Sequence, residues 1–370
     1  MGSPTMSGNM LDGEVVSFYA GKRVLITGHT GFKGSWLYVI LESIGCDVYG
    51  IALPPTTRPS HFLEMGIDQK PGSFIGNVLD YPMLVELIDS VRPQVVFHLA
   101  AQALVREAQD LPRETFETNV MGTVNILEAA RRSDSVEAII CVTSDKSYAP
   151  GSSVKTEESR LGGGDPLTGS KAAAEMVISS YQVASPSFWG RNNSRHALMG
   201  VASARAGNSI GGGDWTPGRL LPDIAVALVS AGSLPLRSPR AVRPWQHVLD
   251  PLFGYLRLGV HLAREPERYS GPFNFGPEAR DALTVDGIVN EAFSVWGREV
   301  PVYPVDVDFT EDAILLIDSS RARQELGWSP HWNASEAVER TVDWYRRFYS
   351  GTPARELTLA QIADYLGSIR

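Results

Sequence analysis

Apolar positions in the first half of the chain gather in short continuous runs separated by helix-length segments, instead of alternating with polar ones. Arg23-Val24-Leu25-Ile26-Thr27 is a β-branched run that stops at a glycine. Asp47-Val48-Tyr49-Gly50-Ile51, Val95-Val96-Phe97-His98-Leu99 and Ala138–Thr143 repeat the type. Trp36–Leu41 reads as the buried side of a helix, and longer helices are predicted over Glu117–Arg132 and Ser170–Val183. Strands apolar on both faces imply a parallel sheet covered by helices on each side.

After Arg205 the pattern changes. Gly211-Gly212-Gly213-Asp214-Trp215 and the stretches around Pro222, Pro235, Pro239 and Pro244 predict loops, and helices are expected over Leu249–Ala263, Val285–Trp296 and Ala334–Tyr349. The expected organisation is an N-terminal tail over 1–20, a dinucleotide-binding domain over 21–205 with return segments near 245–275, a mainly substrate-binding lobe over 206–350, and a tail over 351–370.

Gly28-His29-Thr30-Gly31-Phe32-Lys33-Gly34 joins the first strand to the first helix. Such spacing lets the first glycine make the tight turn, the second bring the backbone close to a pyrophosphate, and the third pack helix on strand. Helix amides then hold the phosphates. The fold class is thus α/β, a Rossmann-type doubly wound parallel sheet with a smaller C-terminal substrate-binding lobe. The second strand ends in Gly50-Ile51-Ala52-Leu53, without an acidic residue for a ribose hydroxyl. Arg58 lies nearby, either as a partner for a 2′-phosphate or as a solvated loop residue, and NAD is expected in preference to NADP. The adenine is expected near Asn77 and Val78.

Composition narrows the function. A net charge of −9 and a pI near 5.4 give no bulk attraction to nucleic acid or anionic membranes. Cys46 and Cys141 sit in apolar runs and read as buried thiols, His98 and His247 lack partners at metal-ligand spacing, and no metal is expected. No apolar stretch is long enough to span a bilayer, and a cytoplasmic protein is expected.

Several stretches resemble extended short-chain dehydrogenases: the turn Gly28–Gly34, Phe97-His98-Leu99-Ala100-Ala101-Gln102, and Glu117-Thr118-Asn119-Val120-Met121-Gly122-Thr123. Val142-Thr143-Ser144-Asp145-Lys146-Ser147-Tyr148 is similar to the active-site strand of CDP-glucose 4,6-dehydratases. Ala206–Trp215, Arg243–Leu249 and Phe273–Pro277 look like that family as well. The resemblance implies oxidation of a hexose at C4 by bound NAD, loss of water across C5 and C6, and return of hydride to C6. It assigns cofactor contacts to Gly28, Thr30, Gly31, Phe32, Lys33, Gly34, Asn77, Val78, Leu99, Ala100, Ala101, Gln102, Asn119, Thr143 and Lys171. Ser144 would orient the alcohol, Asp145 protonate the departing C6 hydroxyl and Lys146 take the C5 proton. Arginines of the loop-rich half (Arg205, Arg219, Arg240, Arg243) can pair with a diphosphate; the resemblance prefers Arg219 and Arg243, with Asn208 and Trp215 lining a nucleotide pocket.

One departure stands out. The family's Tyr-x-x-x-Lys places a phenol one helical turn before the lysine, as base for the C4 hydroxyl. Here Asp165-Pro166-Leu167-Thr168-Gly169-Ser170-Lys171 keeps Lys171 and has Leu167 in the tyrosine's place. Gly164, Thr310-Glu311-Asp312 and Leu316 also depart from the usual pattern. Tyr148 is expected to be an aromatic wall residue, and the Thr168 hydroxyl is too weakly acidic to replace a phenol. Three readings follow: a CDP-hexose 4,6-dehydratase with a substitute base, a diverged nucleotide-sugar epimerase or dehydratase, and a cofactor-binding protein without catalysis. The resemblance also implies a homodimer, paired through the helices at Thr115–Arg132 and Ser170–Val183.

Overall fold

The computed structural model describes residues 8–151, 154–182, 199–278, 281–305 and 316–368. A helix α1 (Gly8–Tyr19) precedes β1 (Arg23–Thr27), α2 (Phe32–Ser43), β2 (Asp47–Ala52), β3 (Ser73–Ile75), α3 (Tyr81–Val91) and β4 (Val95–His98). A π-helical turn, Glu117–Met121, leads into α4 (Gly122–Arg132), followed by β5 (Ala138–Val142), α5 (Pro166–Gln182) and β6 (Gly200–Ala206). Then come α6 (Leu220–Ser230), α7 (Leu249–Arg264), β7 (Gly271–Phe275), α8 (Val285–Trp296), α9 (Ala334–Tyr349) and α10 (Ala354–Ser368).

The main sheet is parallel, in the order β7-β6-β5-β4-β1-β2-β3. Both faces are covered: α1, α2 and α7 pack over one core, and α3, α4 and α5 over the other. Strands sealed on both faces need no alternation, which is why β4 and β6 are buried throughout. The strand order reverses between β1 and β4, so the carboxyl ends of β1, β4 and β5 open on one crevice, where sheets of this kind bind ligands. A third core, under α6, α8 and α9, forms the smaller lobe.

Two expected tails are not tails. Within 1–20, α1 inserts Val15 and Tyr19 into the first core, and the Tyr19 hydroxyl donates to the Leu256 carbonyl. Within 351–370, α10 buries Leu357, Ile362 and Tyr365. Both segments carry apolar residues whose partners lie far along the chain, so their docking was not visible in local pattern. Helix α5 also begins at Pro166, earlier than expected, because the Asp165 carboxylate caps the amides of Leu167 and Thr168. No helix among the described residues is long and apolar enough to cross a membrane.

Candidate active site

The glycine turn is built as its spacing requires. Gly28 adopts φ +80°, and a Cβ there would stand 2.7 Å from the Ala100 amide nitrogen, where the chain leaves β4. A Cβ on Gly34 would come within 2.2 Å of the Gly28 carbonyl oxygen. Only hydrogen fits at either place. Gly31 caps α2 without a side-chain acceptor, and the helix carries no acidic residue in its first turn. The amides of Phe32 and Lys33 therefore face the crevice uncapped, a fit for a pyrophosphate. Thr30 fastens the turn to the end of β2 by donating to the Leu53 carbonyl at 2.9 Å. Asn77 and Val78 follow β3: the Asn77 carboxamide caps the Leu79 amide, and Val78 is buried against Gly122.

The stretch Leu99–Gln102 is held from two sides. Thr27 Oγ1 accepts from the Ala100 amide and shares a 2.7 Å hydrogen bond with His98. Asn119, in the π-helical turn, accepts from the Gln102 amide, donates to its carbonyl, and donates to Ser170 Oγ. Asn119 thus ties the β4 loop to the first turn of α5, and the extra residue of the π turn sits at this junction, as such turns often do at sites. Asn119 thereby also holds the cradle, both hydrogens of its carboxamide being spent on the Gln102 carbonyl and Ser170.

Ser144, Asp145 and Lys146 follow β5 in a single tight turn. Ser144 Oγ accepts from the Lys146 amide and donates to Asp145 Oδ1 at 2.9 Å. Asp145 is buried, and its other oxygen, Oδ2, has no partner. Burial, only partly offset by Lys146, Ser144 and Lys33, pushes its carboxyl above the usual range. Lys171 is buried on α5, and burial lowers its ammonium to about 8 against the opposing pull of Glu175. Lys33, half-buried, is lowered to about 8 by burial and by Arg219, with Asp145 opposing and Lys171 adding to the effect. Lys33, Asp145, Lys171 and Arg219 consequently share one electrostatic neighbourhood, although they come from α2, the end of β5, α5 and the smaller lobe.

Leu167, one turn before Lys171 on the same helix face, is only 2% exposed. The phenol that follows the Ser144–Lys146 turn does not replace the missing one. Tyr148 donates to Asn274 Oδ1 at 2.7 Å and accepts from Arg205 Nη1 at 2.8 Å, and its burial pushes it up to about 12. The wall role expected for it becomes a load of hydrogen bonds in the core. His98 is bonded at both ring nitrogens, to Thr27 and Thr123, and burial lowers it to about 3. Thr168 is occupied with Asp165.

Arg205 corrects an expectation. This residue of β6 is 3% exposed, and its guanidinium donates to Glu175 Oε2 at 2.7 Å and to the Tyr148 hydroxyl. A diphosphate cannot reach it. Glu175 was missed by the sequence reading, although its spacing of four from Lys171 places it on the same helix face; it also accepts from Thr143 and from Ser203 Oγ. Thr143 therefore turns its hydroxyl inward, away from the crevice. In the smaller lobe, Arg219 precedes α6 and pairs with Asp214 at 3.4 Å. Arg243 is buried beside the segment that pairs Gln246 with Ser209, and Asn208 accepts the Gln246 amide through its carbonyl. Trp215 donates to the Tyr349 hydroxyl and packs on Phe348. Leu316 holds Lys155 through its carbonyl, and Thr310–Asp312 lie outside the described residues.

Comparison with known proteins agrees with this geometry. The sequence model described as GDP-mannose 4,6 dehydratase matches residues 25–252. The chain belongs to that family, within the extended short-chain dehydrogenases. It is 39% identical over 355 residues to the CDP-glucose 4,6-dehydratase of Salmonella typhimurium, covering 95% of this chain and 98% of the relative. The dTDP-glucose 4,6-dehydratase of Streptomyces venezuelae, solved with NAD bound, superposes with a TM-score of 0.73 at 25% identity, covering 89% of this chain and 98% of that one. A UDP-glucose-4-epimerase from Stenotrophomonas maltophila shares the fold at 21% identity, with a TM-score of 0.75 over 90% of this chain and all of that one.

Proposed function

We propose that the protein is an NAD-dependent nucleotide-sugar lyase of the 4,6-dehydratase type, acting on CDP-glucose or a close CDP-hexose through an active site that lacks the usual phenol. The observation that carries this reading is the Ser144-Asp145-Lys146 turn at the end of β5, gathered with Lys33 and Lys171 beside an uncapped dinucleotide cradle. NAD, when bound, supplies the two-electron acceptor that oxidation of the C4 alcohol needs. The uncapped amides of α2 hold its pyrophosphate, and the engaged Asn119 and Thr27 keep the β4 loop in place beneath it. Asp145, its carboxyl raised by burial, delivers a proton to the leaving oxygen at C6. Lys146 takes the proton from C5, and Ser144 orients the alcohol. Arg219, Arg243, Asn208 and Trp215 bind the nucleotide from the smaller lobe.

With Leu167 in the phenol's place, the C4 hydroxyl proton passes to the Lys171 amine, which is half neutral near pH 8. Such a base is weaker in supply than a tyrosinate, and oxidation is the slow half of the cycle. The buried Leu167 equally favours a second reading, a cofactor- and nucleotide-binding protein without turnover. Incubation of the pure protein with CDP-glucose separates them: a 4-keto-6-deoxy product supports the dehydratase, and none at high enzyme concentration rejects it.

We also infer a homodimer. Leu111, Phe116, Met121 and Met176 are exposed apolar side chains around α5 and the helical segment before α4, an apolar surface suited to a second copy. The described cysteines are free thiols, which suits the cytoplasm.

A further inference from the structure

Three buried side chains behind the Leu99–Gln102 loop form a series whose hydrogens can run in one direction only. Parallel register sets Thr27, the last residue of β1, beside His98, the last of β4, and Thr123 of α4 meets the other edge of the ring. The Ala100 amide lies 3.2 Å from Thr27 Oγ1, which lies 2.7 Å from His98 Nδ1. His98 Nε2 lies 3.1 Å from Thr123 Oγ1, which lies 2.7 Å from the Asn119 carbonyl oxygen. The amide at one end only donates, and the carbonyl at the other only accepts. A proton on Nδ1 would go to Thr27 and leave the Thr27 hydrogen without an acceptor among the described residues. With the proton on Nε2, Thr27 donates to Nδ1, Nε2 donates to Thr123, and Thr123 donates to the Asn119 carbonyl. Only this arrangement gives every buried hydrogen a partner. A doubly protonated ring repeats the first fault and adds a buried charge.

We propose that His98 is a positioning residue for the dinucleotide: locked as the neutral Nε2–H tautomer, it closes a hydrogen-bonded ring that holds the Leu99–Gln102 loop as one wall of the NAD site. The assignment rests on the NAD reading of the crevice. The ring closes at Asn119. Its carbonyl ends the series from Ala100, and its carboxamide holds both the amide and the carbonyl of Gln102. One residue thus anchors the loop at both ends, directly at Gln102 and through Thr123, His98 and Thr27 at Ala100. The Ala100 amide is also the group that a Cβ on Gly28 would strike, so this anchoring sets the loop against the glycine turn. Through Ser170, the neighbour of Lys171, Asn119 ties the same ring to the start of α5. His98 passes no proton to a substrate; it acts on the cofactor only through the backbone that it holds.

Nitrogen NMR of isotope-labelled histidine in the wild-type protein reads the tautomer without turnover, with His98→Asn to assign the signal. The expected ring has a protonated Nε2 and a bare Nδ1, unchanged from about pH 8 to about pH 5, because burial and the Lys171 charge hold it down to about 3. A proton on Nδ1, or a ring that titrates near the ordinary value of about 6.5, overturns the proposal. Thr27→Val keeps the shape and removes the hydroxyl, leaving the Ala100 amide unpaired. NAD binding by calorimetry should weaken about tenfold, and Thr27→Ser should restore it. Thr123→Val, at the far end of the series, should weaken NAD in the same sense. A merely structural hydroxyl would lower Tm and leave the affinity of the folded variants where it was, and that result also overturns the proposal. A wild-type protein with the Nε2–H ring that binds no NAD sinks the cofactor reading, and this role with it, while the hydrogen-bonded series stands.

Discussion

Leu167→Tyr puts the missing phenol back, and the structure sets what it must do. The site is closed, with Leu167 2% exposed, so a larger ring overpacks it at a cost of about 1–3 kcal/mol. In a chain of this size that lowers Tm by a few degrees. The new phenol stands one turn from the buried Lys171 ammonium, and a cation within about 4–6 Å lowers a phenol by about 1–3 pH units. Its apparent value then falls from the ordinary ~10 to between ~7 and ~9. Lys171 in turn is held charged by the phenolate, so the two titrate as a pair. A correctly placed general base contributes roughly 10²–10⁴-fold, and the gain belongs to C4 oxidation. The assay is single-turnover conversion of CDP-glucose, followed by mass spectrometry of the keto product across pH 6 to 10. The base must be deprotonated, so the rate rises with pH through the lowered phenol value. A variant that melts within a few degrees of wild type, binds NAD, and reacts no faster at any pH would refute the placement of position 167 beside the reacting alcohol.

Other outcomes follow from the same contacts. Glu175→Gln removes the counter-charge of the buried Arg205 and should cost about 3–5 kcal/mol in chemical denaturation, while lowering Lys171 further; a loss below about 1 kcal/mol would show that the pair is solvated. Gly34→Ala drives a methyl into the Gly28 carbonyl and should abolish NAD binding by calorimetry, and retained affinity would mean the cradle is misread. Met176→Glu should convert a dimer to monomers in sedimentation, whereas a wild-type monomer removes that interface from the account. Acid should destabilise the fold between pH 6.5 and 4. Buried His61, His98 and His247 stay near 3 and His29 near 4, so the unfolded chain takes up protons that the folded one refuses. Asp250, raised to about 7, and Asp145, Glu157 and Asp223, also raised by burial, work in the opposite sense and reduce the loss. Denaturant midpoints that rise as pH falls through this window would contradict the burial of those rings.

Local pattern carried much of this protein. The run Arg23–Thr27, the three glycines, and the helices Val285–Trp296 and Ala334–Tyr349 were legible because a strand sealed on both faces, a turn that admits only hydrogen, and an amphipathic helix each leave a period or a spacing in sequence. The absence of a phenol at 167 was legible for the same reason, since helical spacing fixes which side chain shares a face with Lys171.

Partnership was not legible. Arg205 read as a candidate diphosphate ligand until the fold set it against Glu175, and Tyr148 read as a wall until its hydroxyl met Arg205 and Asn274. Residues 8–19 and 354–368 read as tails until their apolar faces met α7 and the Phe62–Trp344 core. A guanidinium or a phenol carries the same chemistry wherever it lies; burial and the neighbour opposite decide whether that chemistry is spent on the fold or left for a substrate. The sequence settled which groups and which periods were present, through rules that act over a few residues. Which oxygen of Asp145 is sealed, and the approach of Lys33 from more than a hundred residues away in the chain, are decided only by packing of the helices on the sheet.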